Sequence, residues 1–311
     1  MYKITDLRTG RERDASLPFV AALGDFDGVH LGHRKVIEET IAASCALGTE
    51  SAAWFFSDGA KRVPVLTDEK EKMRLFAELG LGESISESFD DVKDMTPEEF
   101  VADYLIPLGC RGVVCGFNFR FGSGASGDVE LLGKLCGREG LYFKAVDAVE
   151  LDGETVSSTA IRALLSEGDA ERASAMLARP YSVRAEVAHG RTLGKKLGFP
   201  TINQNFAPGA AVPRHGVYFT YTMADGVYMP SVSNVGSRPT VGGHVCRLET
   251  HILDCADDLY GKEVEVFFIK FRRSEETFSG EDELARAIAS DVEAARRYFG
   301  GYTDAEGGVV N

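Results

Sequence analysis

The chain has little with which to bind a polyanion, staple itself covalently or enter a bilayer. Lys and Arg number 34 against 48 Asp and Glu, a formal net charge of −14. That balance lacks the basic field that nonspecific binding to nucleic acid or to an acidic membrane needs. The six cysteines, Cys45, Cys110, Cys115, Cys136, Cys246 and Cys255, include no Cys-x-x-Cys pair. This argues against a structural zinc site and against a secreted disulfide frame, and leaves free thiols as the expectation. No stretch approaches the ~18 apolar residues of a membrane span, and the charged opening MYKITDLRTGRERDASLP lacks an apolar signal core. The expectation is a cytoplasmic protein with neither nucleic acid nor membrane as partner. Small anions remain open as ligands, because screening over ~8 Å hides distant carboxylates from a local positive site.

What is present is ordinary for a soluble globular chain: 44% hydrophobic and 26% charged residues over 311 positions. That length exceeds what one core usually fills, so two domains are expected. In the first half, short apolar runs alternate with helical patterns. PFVAALG (18–24), AAWFF (52–56), RGVVCG (111–116) and LYFKAVDAV (141–149) read as strands. Helices are read over 33–48, with Val36, Ile37, Ile41 and Cys45 on one face and Gly48 as the stop, and over 67–80, 96–109, 128–140 and 157–177. Thr96 with Glu99 forms a capping box, which Thr67 with Lys70 does not. The alternation predicts a Rossmann-like parallel sheet covered by helices.

After ARPY (178–181) the pattern changes to β-branched and aromatic runs: YSVRAEVA, GVYFTYTM, YMPSVSNV, RLETHILD and VEVFFIKF. These predict an antiparallel barrel. A final helix over 280–300 carries Leu284, Ile288, Val292, Ala295 and Phe299 on one stripe to pack against it. The boundary is placed near 178–184, giving domains 1–180 and 181–311.

Two stretches carry the chemistry. In GDFDGVHLGH (24–33) the glycines allow a tight turn at the end of a strand, and His33 opens a helix whose free N–H groups attract an anion. His30 and His33 are three apart without a third ligand, whereas a helical zinc pair wants a spacing of four, so a zinc clamp is disfavoured. In GRTLGKKLGFPTIN (190–203) Gly194 and Gly198 permit close backbone approach, and Thr201 and Asn203 present oxygens on one side of an extended segment, as a hard cation such as Mg²⁺ prefers.

With GFNFRFG (116–122), SSTAIR (157–162), GVY (216–218), NVGSRPTVGG (234–243), LETHIL (248–253) and DLYGKEVEVFF (258–268), these stretches resemble, in order and over essentially the whole chain, the bacterial bifunctional riboflavin kinase/FMN adenylyltransferases, or FAD synthetases. The resemblance implies an adenylyltransferase site in which Gly24, Phe26, His30, His33, Asn118, Ser158, Thr159 and Arg162 meet ATP. His30 and His33 would act catalytically on its phosphates, and Ser158 with Arg162 would form a second phosphate grip. It implies a kinase site with Gly194, Lys195, Gly198, Pro200, Asn234 and Arg238 at ATP and flavin, Thr201 and Asn203 at Mg²⁺ with ATP, and Glu249 as general base. Riboflavin, FMN and ATP are the implied ligands, with FMN and FAD as product or substrate; no oligomeric state is implied. The chain departs from the family after its second strand, where Phe-x-Pro-His-Pro is replaced by FFSDGAK (55–61). That departure motivates the alternative of a riboflavin kinase with a degenerate adenylyltransferase domain; a flavin-binding regulator without turnover is a further alternative, against which Glu249 with Thr201 and Asn203 argues. Ala185 also replaces a usual glycine.

Overall fold

The computed structural model describes every residue except 1, 14–16, 58–62, 189–192, 241–242, 256 and 301–311, and describes residues 193, 238–240 and 243–245 without their side chains. The chain divides into two compact units, residues 1–160 and 161–311.

In the first unit, the run read as a strand at 18–24 forms β3 (Phe19–Leu23), with all five side chains buried. Around it lie β4 (Glu50–Phe56), β5 (Glu83–Glu87), β6 (Cys110–Gly116) and β7 (Tyr142–Val146), all parallel. Two short strands, β1 (Lys3–Asp6) and β2 (Arg11–Arg13), add an antiparallel edge, so the sheet runs β2-β1-β5-β4-β3-β6-β7. The chain steps from β3 to β4 on one side and to β6 on the other, which makes β3/β6 the point where the winding reverses. In doubly wound sheets a crevice opens there, at the carboxyl ends of the strands.

Helices α1 (Leu31–Leu47), α2 (Glu69–Glu78), α3 (Phe89–Val92), α4 (Pro97–Glu99) and α5 (Val129–Arg138) connect these strands. Gly48 stops α1 in the left-handed conformation at φ 65°. The buried stripe of α1 runs through Val36, Ile37, Thr40, Ala43 and Ser44, whereas Cys45, expected on that face, is exposed. The helix expected from Thr67 is capped one residue later, by Asp68 accepting from the Glu71 N–H, because the Thr67 hydroxyl accepts instead from the Gly28 N–H at 2.9 Å. The Thr96/Glu99 capping box forms, but α4 passes after one turn into a π-helix over Phe100–Leu105 that buries Phe100, Val101 and Leu105. β8 (Glu150–Leu151) and β9 (Glu154–Thr155) form a small hairpin. α6 (Ser158–Glu167) then crosses the division between the units.

In the second unit, α7 (Ala170–Leu177) precedes β10 (Tyr181–Glu186), a short α8 (Leu193–Lys196), β11 (Ile202–Asn205), β12 (Gly216–Ala224), β13 (Val227–Thr240), β14 (Gly243–Ile252), β15 (Glu263–Arg273) and α9 (Glu281–Gly300). The six strands are antiparallel in the order β10-β15-β12-β13-β14-β11. Gln204 nearly closes this sheet into a barrel: from β11 its fully buried amide donates to the Ala185 carbonyl of β10 and the Val264 carbonyl of β15, both at 2.8 Å. Inside runs a buried line of hydroxyls, Thr222, Ser231, Thr220, Ser233 and Thr250, each 2.7–2.9 Å from the next. α9 buries Val292, Ala295 and Phe299 with Val217, Phe219, Val232 and Leu253, and Ile288 packs at the margin of that cluster. Arg296 binds both carboxylate oxygens of Asp254, at 2.6 and 2.7 Å. Ala185 is accommodated in β10 opposite Val264.

Candidate active sites

In the first unit the motif GDFDGVHLGH leaves the carboxyl end of β3, and GFNFRFG leaves that of β6. The parallel pairing of Leu23 with Cys115 sets the two loops side by side at the winding reversal. The first loop is strained: Phe26 and Val29 have φ 52° and 42°, the latter in a β-branched residue. Such conformations cost of order 1–3 kcal/mol and persist where neighbours over-determine them. Here they do. Buried Asp27 accepts from the Leu66 and Thr67 N–H groups at 2.7 and 3.2 Å, the Val29 N–H donates to the Phe26 carbonyl at 3.0 Å, and buried Phe26 packs its ring on His33 and Phe76. A side chain at Gly24 would press on the Phe26 ring at 3.2 Å, so glycine there preserves the fit. Burial raises the Asp27 carboxyl above its ordinary value, and the two backbone donors act in the opposite direction. Buried Lys72 lies 3.6 Å from Asp25.

His30, 6% exposed, is the N-cap of α1: its Nδ1 accepts from the His33 N–H at 3.3 Å. Accepting at Nδ1 leaves the proton of the neutral ring on Nε2. The two imidazoles stack with centroids 3.6 Å apart and 18° between planes, forming one unit at the helix mouth. A Cβ at Gly32 would crowd the His30 ring at 3.2 Å.

SSTAIR reaches this loop through its second serine. Ser157 caps α6, accepting from the Ala160 N–H at 3.1 Å. Ser158, at the first helical position, donates its hydroxyl to the Asp27 carbonyl at 2.7 Å. Thr159 is exposed, and half-buried Arg162 follows one turn along α6. Exposed Asn118 lines a cavity of about 300 Å³ with Phe117, Phe119, Arg120 and Asp128. After β4, the Ser57 N–H donates to the Glu87 carbonyl at 2.9 Å; most of FFSDGAK, residues 58–61, lies outside the described residues.

In the second unit the site residues come from strands, aligned by register. Glu249 of β14 is the cross-strand partner of Asn203 in β11 on one side and of Asn234 in β13 on the other. Directly opposite residues point to the same face of a sheet, with Cβ atoms about 5 Å apart. Three separate segments therefore place a half-buried carboxylate between two amides. Thr201, two residues before Asn203, is half-buried. Gly194 lies against it: a Cβ there would stand 2.4 Å from the Phe199 carbonyl and 3.3 Å from Thr201 Oγ1, so only glycine fits. Gly198 turns the loop at φ 86°, and Lys195 and Pro200 are exposed. Arg238 pairs with Val245 along the β13–β14 ladder; its side chain, Gly190–Thr192 of the loop and residues 241–242 of NVGSRPTVGG lie outside the described residues. Among the described residues no group of three or more His, Cys, Asp or Glu is placed to hold a metal ion. The neutral oxygens of Thr201 and Asn203 suit a hard cation whose charge is balanced by nucleotide phosphates.

The sequence reading missed Asp27, Thr67 and Gln204 as organisers of these sites. Asp27 sits inside the motif and so was visible. The Thr67 and Gln204 contacts join residues 39 or more apart for the first and 19 and 60 apart for the second, which no local pattern encodes.

The architecture and the two sites describe a pair of nucleotide-using transferase domains, and comparison with known proteins makes the family definite. Residues 13–160 match the family described as FAD synthetase, and residues 177–299 match that described as riboflavin kinase. A bifunctional riboflavin kinase/FMN adenylyltransferase from Escherichia coli (strain K12) is 34% identical over 291 residues, 90% of this chain and 93% of the relative. The protein of that name from Bacillus subtilis (strain 168) is 31% identical over 293 residues, 90% of this chain and 92% of the relative. A solved structure described as a macrolide-efflux protein from Streptococcus pneumoniae superposes with TM-score 0.82 over 94% of this chain and 97% of that one; at 24% identity the likeness is one of fold. The chain belongs to the bifunctional riboflavin kinase/FMN adenylyltransferase family. Among the described residues no helix is long and apolar enough to cross a membrane.

Proposed function

We propose that this chain makes both flavin cofactors: it transfers the γ-phosphoryl group of ATP to the 5′-hydroxyl of riboflavin to give FMN, and the adenylyl group of a second ATP to FMN to give FAD and pyrophosphate. The kinase chemistry belongs to the barrel of residues 181–311, and adenylylation to residues 1–180. The observation that carries the reading is the single cross-strand row Asn203, Glu249, Asn234 beside a loop whose Gly194 tolerates no side chain.

In the barrel Glu249 takes the proton of the riboflavin hydroxyl as its oxygen attacks the γ-phosphorus and ADP leaves. A carboxylate with an ordinary pKa of ~4.3 is a weak base, so its contribution depends on placement. The flanking amides fix that placement. Thr201 and Asn203 would hold Mg²⁺ with ATP; when bound, the cation supplies charge stabilisation at the phosphoryl oxygens. Gly194, Lys195, Gly198, Pro200 and Arg238 line the nucleotide and flavin path.

In the α/β domain an oxygen of the FMN phosphate attacks the α-phosphorus in line and pyrophosphate departs, so the protein needs no nucleophile and works by positioning and charge stabilisation. His30 donates through Nε2–H and His33 lies stacked on it at the mouth of α1, where the helix N–H groups also face an anion. Thr159 and Arg162 complete the phosphate contacts, and Ser158, whose hydroxyl donates to the Asp27 carbonyl, turns its backbone N–H at the start of α6 towards the same anion, with Gly24, Phe26 and Asn118 along the nucleotide. The acidic surface is consistent with small ligands in the cytoplasm and with no nucleic-acid partner.

Incubating the purified protein with riboflavin, ATP and Mg²⁺ and resolving the products tests this directly. FAD is the expected product. FMN alone would leave only the kinase half, the outcome that the replacement of Pro-His-Pro by SDGAK favours, and no product would overturn both.

A further inference from the structure

We infer that His251 is a positioning residue of the kinase reaction, setting the nucleotide loop by holding the backbone immediately before Thr201; the inference rests on the kinase reading given above. His251 lies two residues beyond Glu249 on β14, so its side chain stands on the same face of the sheet. Its Nδ1 lies 2.8 Å from the Pro200 carbonyl. A carbonyl only accepts, so Nδ1 carries the proton and donates.

The place of that bond explains its consequence. The β11–β14 ladder begins at Ile202, paired with Thr250. One step earlier the backbone has left the ladder, and Pro200 has no N–H with which to return to it. The imidazole supplies the missing tie from the side. Thr201 is thereby held on both flanks, by strand pairing after it and by the His251 bond before it. The loop hangs from the same point: the Phe199 N–H donates to the Gly194 carbonyl at 2.8 Å, the Gly198 N–H donates to the Lys195 carbonyl at 3.3 Å, and the Phe199 ring meets the His251 ring edge to face at 5.7 Å. Phe199 also packs against the cluster that α9 buries. Without the imidazole, Gly194 to Pro200 keeps its internal bonds but loses its registration against β14, and with it the direction of the Thr201 hydroxyl. The reacting groups themselves stay in place, because the cross-strand partners of Glu249 do not involve His251.

The test uses the full chain and compares three variants by initial rate. Asn places its amide N–H near the position of Nδ1, Gln places it near that of Nε2, and Phe keeps the ring contact with Phe199 but has no donor. For FMN formation from riboflavin, His251→Phe and His251→Gln should raise KM for ATP roughly five- to tenfold, the scale of one lost hydrogen bond, with kcat changed less. His251→Asn should stay within about twofold of the native KM, and FAD formation from added FMN should be unchanged in all three. If the Phe variant fails to fold, judged by thermal unfolding, the Gln and Asn pair decides. An unaltered KM for ATP in the Gln variant, or equal losses in Gln and Asn, would overturn the role of His251. Native protein that makes no FMN would instead overturn the kinase reading on which it rests.

Discussion

The two halves gather their candidate sites by opposite means. In the α/β unit the candidate groups sit on loops and helix starts beyond the strand ends. They are gathered by topology, since adjacent parallel strands deliver 24–33 and 116–122 to one edge. In the barrel the candidate base and its two flanking amides sit on the strands themselves and are gathered by register, since Asn203, Glu249 and Asn234 share one row. A loop site can carry strain, as Phe26 and Val29 do at positive φ, and needs buttresses such as Asp27 to keep it. A strand site inherits its rigidity from the ladder and needs help only where the ladder ends. Each half is therefore vulnerable in a different place: the first through side chains that buttress a loop, the second through the row itself.

The largest effect is expected at the row. Glu249→Gln, which keeps size and register but removes the base, should lower FMN formation by ~10²-fold or more, with FAD formation from added FMN spared. Next, His30→Ala with His33→Ala should lower FAD formation from FMN by ~10²-fold and spare the kinase. His30→Asn separates capping from chemistry: it keeps a good N-cap, so native thermal stability with low adenylylation is the expected pattern. A smaller effect distinguishes two adjacent serines. Ser158→Ala breaks the bond to the Asp27 carbonyl and should slow adenylylation several-fold, whereas Ser157→Ala removes a helix cap and should cost about 1 kcal/mol of stability, measured by denaturant unfolding, with little change in rate.

The mildest contrast lies in the thiols. Burial pushes Cys110 and Cys115 up to about 12 and Cys136 up to about 11, from an ordinary 9.0, and all three belong to the core of the first unit. Because the folded value of each acid is raised, the folded state is favoured below pH 9 and that advantage is lost as pH climbs from 9 through 11 to 12. Alkali in that window should unfold the first unit before the barrel, where the described thiols, Cys246 and Cys255, are only half-buried. At pH 8 a thiol-specific chromophoric reagent should modify Cys45 first and reach Cys110, Cys115 and Cys136 only on unfolding.

The same contrast decides what could be read without a structure. The alternation of strands and helices, a helix starting at Thr96 and five of the six barrel strands follow from local periodicity and capping, and are visible in the chain; the π-helical turn at Phe100–Leu105 and the short β11 are not. β5, with sequence ESISE, was not: it is a fully buried strand whose residues are mostly polar, so no hydrophobic pattern marks it. β1 and β2 are too short to carry a period. GDFDGVHLGH is contiguous, so its chemistry is legible as a unit, whereas the row of three strands is written across 203, 234 and 249 and appears only when register is known. The roles of Ser157 and Ser158 could not be told apart by sequence, because either serine has the chemistry of a cap and only the folded backbone decides which hydroxyl is free to reach Asp27. Likewise α6 and α7 read as the end of the first domain, yet most of α6 and all of α7 group with the barrel, where α7 packs on β15 and β10.

On this reading two independent sites, one gathered by topology and one by register, act on the flavin in turn. Its most direct test is a crosswise assay of Glu249→Gln and of His30→Ala with His33→Ala, each scored for FMN made from riboflavin and for FAD made from added FMN. Each protein should lose one activity and retain the other at near-native rate. A folded variant that loses both would contradict it.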